Sequence, residues 1–290
     1  MPTVRTNDIE TYYERRGTGP SIAFVHGAVL DHAQWAPQVD ALGDEYATVA
    51  YDVRGHGRTG GSAKESYSVD RFADDLDALV TALDLDRPVL CGLSTGGCIA
   101  QAYAAAHPDR VAGLVLADTF TPELFDRFEW LQRSALLKAT IPPVRLVGYE
   151  RVEKVLVWLH ERISGKEVGG DYEKIERLRA AGPKMDADEF AKVIRAVATF
   201  HEAEVDLRAI SAPTLILYGE HEPPFIRRHA PKMEAEIPNA VVREVPDAGH
   251  ASNLDNPEFF SAALREFLAS VLPRDAADGA EGNGGAEGAG

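Results

Sequence analysis

One stretch decides most of what this chain can fold into: Arg87-Pro88-Val89-Leu90-Cys91-Gly92-Leu93-Ser94-Thr95-Gly96-Gly97-Cys98-Ile99-Ala100. Val89 to Cys91 is an apolar run that stops at Gly92. From Cys98 onward small helix-forming residues dominate, among them Ala100, Ala102, Ala104, Ala105 and Ala106. The pattern predicts a short buried strand, a sharp turn and a helix, with Ser94 at the centre of a Gly-x-Ser-x-Gly turn. A serine on such a turn sits in strained backbone. Its hydroxyl projects from the top of the sheet and a helix N-terminus lies just behind it. Gly92 and Gly96 flank it because a Cβ at either place would crowd the turn. Any glycine-rich strand-to-helix turn can hold a serine, so the reading depends on what the rest of the chain brings to it.

The flanking segments repeat the same alternation. Ile9 to Arg16 reads as a strand in an opening hairpin, with Gly17-Thr18-Gly19-Pro20 as the turn. Ser21 to Val25 is a buried strand ending at His26-Gly27-Ala28-Val29. Asp31 then caps a helix carrying Trp35, Val39 and Leu42. Tyr46 to Tyr51 is the next strand, running into the charged, glycine-rich loop from Asp52 to Thr59. Val69 to Leu83 places Phe72, Leu76, Leu79, Val80 and Leu83 on one helical face. Val111 to Ala117 is a further strand, ending at Asp118. Short buried strands alternating with helices predict an α/β fold: a mostly parallel central sheet with helices on both faces.

From Thr119 to about Leu207 the alternation stops, and only helical stretches are visible: Leu124 to Ala139, Val152 to Ile163, Tyr172 to Ala180 and Asp188 to Glu202. Pro142-Pro143, Gly165 and Gly169-Gly170 punctuate them. The strands resume with Thr214 to Tyr218 and Val241 to Val245, separated by a helix from Phe225 to Ala235. Asp255 or Asn256, before Pro257, caps a closing helix. The expected organisation is a core of residues 1–118 and 208–272, a helical cap insertion at 119–207, and a disordered acidic Gly/Ala tail at 273–290.

Composition narrows the function. The chain has 290 residues, 45% of them hydrophobic, enough for a sizeable core. It lacks an apolar run of membrane-spanning length. Met1 to Glu10 is polar without a hydrophobic signal core, so a cytoplasmic location is expected. A net charge of −16 disfavours nucleic acid and anionic membrane as partners and leaves a small molecule as the expected one. Only eight of the thirty basic residues are lysine, and this acidic, lysine-poor balance suits either a high-salt cytoplasm or simple compositional bias. Cys91 and Cys98 read as small buried residues, and the spacing of a zinc site is missing.

A serine hydroxyl attacks only when a base removes its proton and a third group holds that base. Two loops that follow later strands offer such groups, Gly219-Glu220-His221-Glu222 and Asp247-Ala248-Gly249-His250, giving the chain order serine, acid, histidine. Taken with His26-Gly27-Ala28 and Asp52 to Gly57, these motifs make residues 1 to 272 resemble the α/β-hydrolase family, in particular small serine hydrolases and esterases with a helical cap. The resemblance implies Ser94 as nucleophile, His250 as general base, and an oxyanion hole from the backbone N–H groups of Ala28 and Thr95. Relatives usually carry Asp where this chain has Glu222, so the acid stays open between Glu222 and Asp118 after the preceding strand, with Glu220 a further competitor that reads as a surface residue at the strand end. Asp118 can also be read as a cap for the first turn of the insertion.

His26 is expected to support the oxyanion loop, and His56, His221 and His229 to stand apart from the chemistry, the last two as surface residues. Phe120, Leu124, Phe128, Trp130, Trp158 and Phe200 are candidate linings of a roofed apolar pocket, though helix cores use the same residues. Such a pocket suits a small or medium uncharged ester or lactone. Activity is expected to fall as His250 protonates near or somewhat below neutral pH. The implied chemistry needs no cofactor and no metal. The same triad also serves carbon–carbon bond hydrolysis and perhydrolysis, and a hydrolase-like ligand receptor retains it as well. Dehalogenase and epoxide hydrolase readings are disfavoured, because those relatives use Asp where this chain has Ser94.

Overall fold

Eight strands form one sheet in a computed structural model that describes residues 2–164 and 172–272. They are β1 (Thr3–Thr6), β2 (Ile9–Arg16), β3 (Ser21–Val25), β4 (Ala47–Tyr51), β5 (Val89–Leu93), β6 (Gly113–Ala117), β7 (Thr214–Gly219) and β8 (Ala240–Val245). Their order in the sheet is β1-β2-β4-β3-β5-β6-β7-β8. The pairs β1–β2 and β2–β4 are antiparallel, and every other neighbouring pair is parallel.

The expected opening hairpin is displaced by one strand. The chain turns at Asn7 and Asp8 between β1 and β2, so that Thr6 faces Ile9. Gly17 to Pro20 instead carries the chain from β2 across to β3, and those two strands are separated by β4. The polar four-residue β1 carries no apolar alternation by which the sequence could reveal it.

Residues along the parallel strands alternate between two apolar layers, because successive side chains point to opposite faces. Ile22 and Phe24 join Trp35, Leu42, Phe260 and Leu264 beneath the helices Ala36–Leu42 and Pro257–Val271. Ala23 and Val25 face Phe72, Leu76, Tyr103 and Met233 on the helices Val69–Ala82, Thr95–Ala106 and His229–Glu236. Both faces are covered, so β3 to β6 read as nearly unbroken apolar runs. Cys91 and Cys98 are buried free thiols in these two layers. Side-chain caps start the helices where the sequence places them: Ser68 accepts from the Arg71 N–H, and Asn256 accepts from the Phe259 N–H.

Between β6 and β7 every described element is helical. Arg127–Trp130, a π-helical stretch Leu131–Leu136 and Leu137–Ala139 come first, followed by Ile141–Val147, Tyr149–Ser164, Tyr172–Ala181 and Ala187–Ala198. Pro142 and Pro143 mark a break between helices as expected, Leu137–Ala139 ending just before them and Ile141–Val147 beginning with them. They occupy the first turn of Ile141–Val147, where a missing N–H costs nothing and the fixed φ suits the helix. The expected helix from Phe225 to Ala235 is split into Pro224–Arg227 and His229–Glu236. The expected break at Gly165 and Gly169-Gly170, and the tail from 273, lie outside the described residues. Among the described residues no helix is long and apolar enough to cross a membrane.

The inserted helices bond to the loop that follows β4. Tyr67 donates to Glu189 Oε2 at 2.5 Å, and Lys192 donates to the Ser62 carbonyl at 3.0 Å. A buried polar knot secures their first part. Arg133 pairs with Glu129 Oε1 at 2.6 Å and donates to the Thr121 carbonyl, while His229 Nε2 meets the same Glu129 oxygen at 2.8 Å. His229 is therefore fully buried and not the surface residue expected. Burial and the neighbouring Arg133 charge lower it to about 4, so it is neutral at pH 7.

Candidate active site

The sheet order reverses between β3 and β5, the chain having moved one way through β3 and β4 and then the other from β5 onward. Loops diverge at such a point and leave a crevice at the carboxyl ends of the strands. Ser94 stands there, directly after β5, with φ +55 and ψ −117. Backbone of this kind costs on the order of 1–3 kcal/mol and persists only when its surroundings hold it. Here the Ser94 N–H donates to the Ala117 carbonyl at 2.9 Å, and Thr119 Oγ1 donates to the Ser94 carbonyl at 2.7 Å. Gly96 is obligatory, because a Cβ there would collide with the Val25 carbonyl at the end of β3. That close approach sets the β3 loop beside the serine, with the position of a Gly27 Cβ 3.6 Å from Ser94 Cβ. The β3 loop that carries Ala28 thus lies beside Ser94, and Thr95 follows it in the chain. Thr95 is the first residue of the helix Thr95–Ala106, at the positive end of its dipole.

His250, from the loop after β8, places Nε2 at 3.0 Å from Ser94 Oγ. Its Nδ1 lies 2.5 Å from Glu222 Oε1. With Nδ1 donating to the carboxylate, Nε2 is the acceptor that faces the serine hydroxyl. Glu222 is 3% exposed, and among the described residues its other oxygen meets no protein partner, so its charge is directed at the imidazole. Partial desolvation of the half-exposed ring opposes the imidazolium, but the Glu222 charge and hydrogen bond outweigh it, with Asp118 and Asp255 behind, and raise His250 to about 9. The near-neutral titration expected for this histidine is corrected upward, because a carboxylate in direct contact stabilises the protonated ring.

Asp118, the other candidate acid, is buried behind the pair and makes no contact with the imidazole nitrogens. One oxygen accepts the Gly219 N–H at 2.9 Å. The second accepts both the Ser252 hydroxyl at 2.6 Å and the Ser252 N–H at 3.0 Å. Asp118 therefore does not cap the insertion but ties the loop of Glu222 to the loop of His250. Burial, then the Glu222 charge, pushes its carboxyl well above the usual range. The sequence held no signal for this clasp, since Gly219 and Ser252 lie more than a hundred residues away.

Three other histidines singled out in the sequence take no part in the relay. His26 is buried, and its Nε2 accepts the Val53 N–H at 2.9 Å, bracing the β3 and β4 loops. His56 is held near 3 by burial and by the adjacent His26. His221 is exposed on the acid loop. Of the expected pocket linings, Phe120 and Phe200 are buried in the layer beneath the site, while Phe128, Trp130 and Trp158 are exposed on the cap. His250 keeps 46% of its side chain exposed, so the site opens to solvent.

Among the described residues one buried cluster, Asp31, His32 and Asp52, has metal-ligand spacing, but its donors are already engaged: Asp52 accepts from the His32 ring and from the backbone of His32 and Arg58. A second cluster, Glu220, His221 and Asp247, is exposed.

Known proteins share this plan. The 3-oxoadipate enol-lactonase 1 of Acinetobacter baylyi is 28% identical over 252 residues, covering 87% of this chain and 90% of that protein. The haloalkane dehalogenase 2 of Mycobacterium bovis is 28% identical over 274 residues, 88% of this chain and 90% of its own length. The structure of a thermophilic esterase from Thermogutta terrifontis superposes with a TM-score of 0.74 at 28% identity, covering 94% of this chain and all of that one. A family model described as the alpha/beta hydrolase fold matches residues 20–257, and the chain belongs to that family.

Proposed function

We propose that the protein is a serine hydrolase that cleaves a small or medium carboxylic ester or lactone through an acyl-enzyme. The observation that carries this reading is the continuous relay from Ser94 Oγ through His250 to Glu222, at 3.0 and 2.5 Å. The similarity to an enol-lactonase and an esterase supports it.

His250 Nε2 takes the Ser94 proton as Oγ attacks the substrate carbonyl. The Ala28 and Thr95 N–H groups receive the developing oxyanion. Glu222 stabilises the imidazolium without taking its proton. The tetrahedral intermediate collapses, and His250 passes the proton to the departing alkoxide. Water then enters, gives its proton to His250 and attacks the acyl group. Ser94 leaves reprotonated and the carboxylic acid is released. In a lactone, leaving group and acyl group are one molecule, so the ring opens and departs as a hydroxy acid. The solvent-open His250 favours turnover over lasting ligand retention.

Turnover of an ester and lactone panel tests the reading. Ser94→Ala and His250→Ala are each expected to lower kcat by about 10⁴-fold or more while melting like the wild type. A folded Ser94→Ala protein that keeps most of the activity contradicts it.

A further inference from the structure

The turn that carries Ala28 contains a backbone conformation that its own sequence does not favour. Residues Gly27 to Leu30 form a β-turn, closed by the Leu30 N–H donating to the Gly27 carbonyl at 3.4 Å. Val29, at its third position, has φ +58. A positive φ there belongs to glycine or asparagine, and a β-branched side chain is a genuine outlier. Such a conformation persists only when the surroundings over-determine it.

The surroundings come from the cap. Ile141, Val144, Phe190, Ala191 and Ile194 form a separate buried cluster, and Val29 packs against it. Among the described residues Val29 is the one member of that cluster from outside the segment between β6 and β7. Ala28, one residue earlier, packs instead on the main core, and the Gly27 N–H donates to Gln34 Oε1 at 2.9 Å. Adjacent residues of one turn are thus gripped by two different apolar bodies.

We infer that Val29 is a positioning residue: its anchorage in the cap cluster holds the Gly27–Leu30 turn in the form that presents the Ala28 N–H to the reacting carbonyl. The oxyanion site is then complete only when the cap is seated. Withdrawal of the cap frees Val29 to relax toward negative φ, which shifts the turn and with it the Gly27–Ala28 peptide that carries the Ala28 N–H. The inference rests on the role proposed above for Ala28.

Steady-state ester kinetics on Val29→Gly, Val29→Ile and Ile194→Ala test it. Glycine accepts the positive φ but has no anchor. The expected result is an unchanged or raised Tm, a kcat about tenfold lower and a KM within about twofold. Isoleucine keeps the anchor and is expected to stay within about twofold of wild-type kcat. Ile194→Ala hollows the anchor without touching the turn, so its kcat falls as well. Added to Val29→Gly it costs nothing further, because both remove one coupling. If Val29→Gly folds poorly, the kcat of Ile194→Ala per folded molecule decides alone. Wild-type kcat in folded Val29→Gly or Ile194→Ala overturns the coupling and leaves the hydrolase reading standing. A wild type without turnover on the panel overturns that reading, and the coupling with it.

Discussion

Strands β3, β5 and β6 are buried along almost their whole length on both faces of the sheet, down to Ile22, Leu90 and Leu114 at 0% exposure. The helical segment above them is built differently. Of the eleven large apolar side chains exposed among the described residues, ten lie between Phe128 and Leu159, with Leu146 at 84%. Its helices are joined by partly exposed ion pairs such as Lys184–Glu150 at 2.8 Å and Arg145–Asp188 at 2.7 Å. Pairs of that kind are worth about 0–1 kcal/mol each. The sheet places the reacting groups to within hydrogen-bonding distance through close packing on both faces, whereas the segment between β6 and β7 is gathered around one small buried cluster. Every candidate catalytic side chain stands on a loop at the carboxyl edge of the sheet, and none comes from the cap.

That division can be broken or sharpened at several points. The largest effect belongs to the relay. Glu222→Gln is expected to lower kcat by about 10³–10⁴-fold. Asp118→Asn, which loosens the clasp on Gly219 and Ser252, should cost at least about tenfold less. Equal losses, or the reverse order, would move the acid's role to Asp118. Next in size is the core. Leu90→Ala is expected to destabilise by about 2–5 kcal/mol in urea unfolding, since the close-packed strand layer cannot collapse around the cavity.

A smaller effect follows from pH. Attack requires neutral His250, whose protonated form persists up to about 9. The kcat/KM of the wild type is therefore expected to rise about tenfold per pH unit below that point and to level off above it. In Glu222→Gln the residual activity should reach its plateau at lower pH, the ring having lost the charge that raises it. A wild-type midpoint near neutrality would show that the Glu222 contact does not govern the base. The smallest effect is on the cap surface, where Leu146→Ser should change unfolding free energy by no more than about 0.5 kcal/mol.

The same contrast governs what could be read from the sequence. The loops of Ser94, Glu222 and His250 were legible because each follows a short strand, and such runs ended by turn residues mark where loops begin, while Asp118 stayed open beside Glu222 as the acid. Pairing those loops required only the order of strands. The cap resisted, because amphipathic helices announce an apolar face without saying what it meets. Phe128, Trp130 and Trp158, read as candidate pocket linings, are exposed. His229 looked like a surface residue because its partners Glu129 and Arg133 lie about a hundred positions away. Val29 showed no sign of strain, since a positive φ is signalled by Gly or Asn and neither stands at this position of the turn.

The central claim is that the relay from Ser94 through His250 to Glu222 makes Ser94 a nucleophile. Intact-mass analysis after treatment with a fluorophosphonate, wild type beside Ser94→Ala, tests it without needing the natural substrate. One adduct on the wild type and none on the variant is the predicted result. A well-folded wild type that stays unmodified, or a variant that is modified equally, would contradict the account.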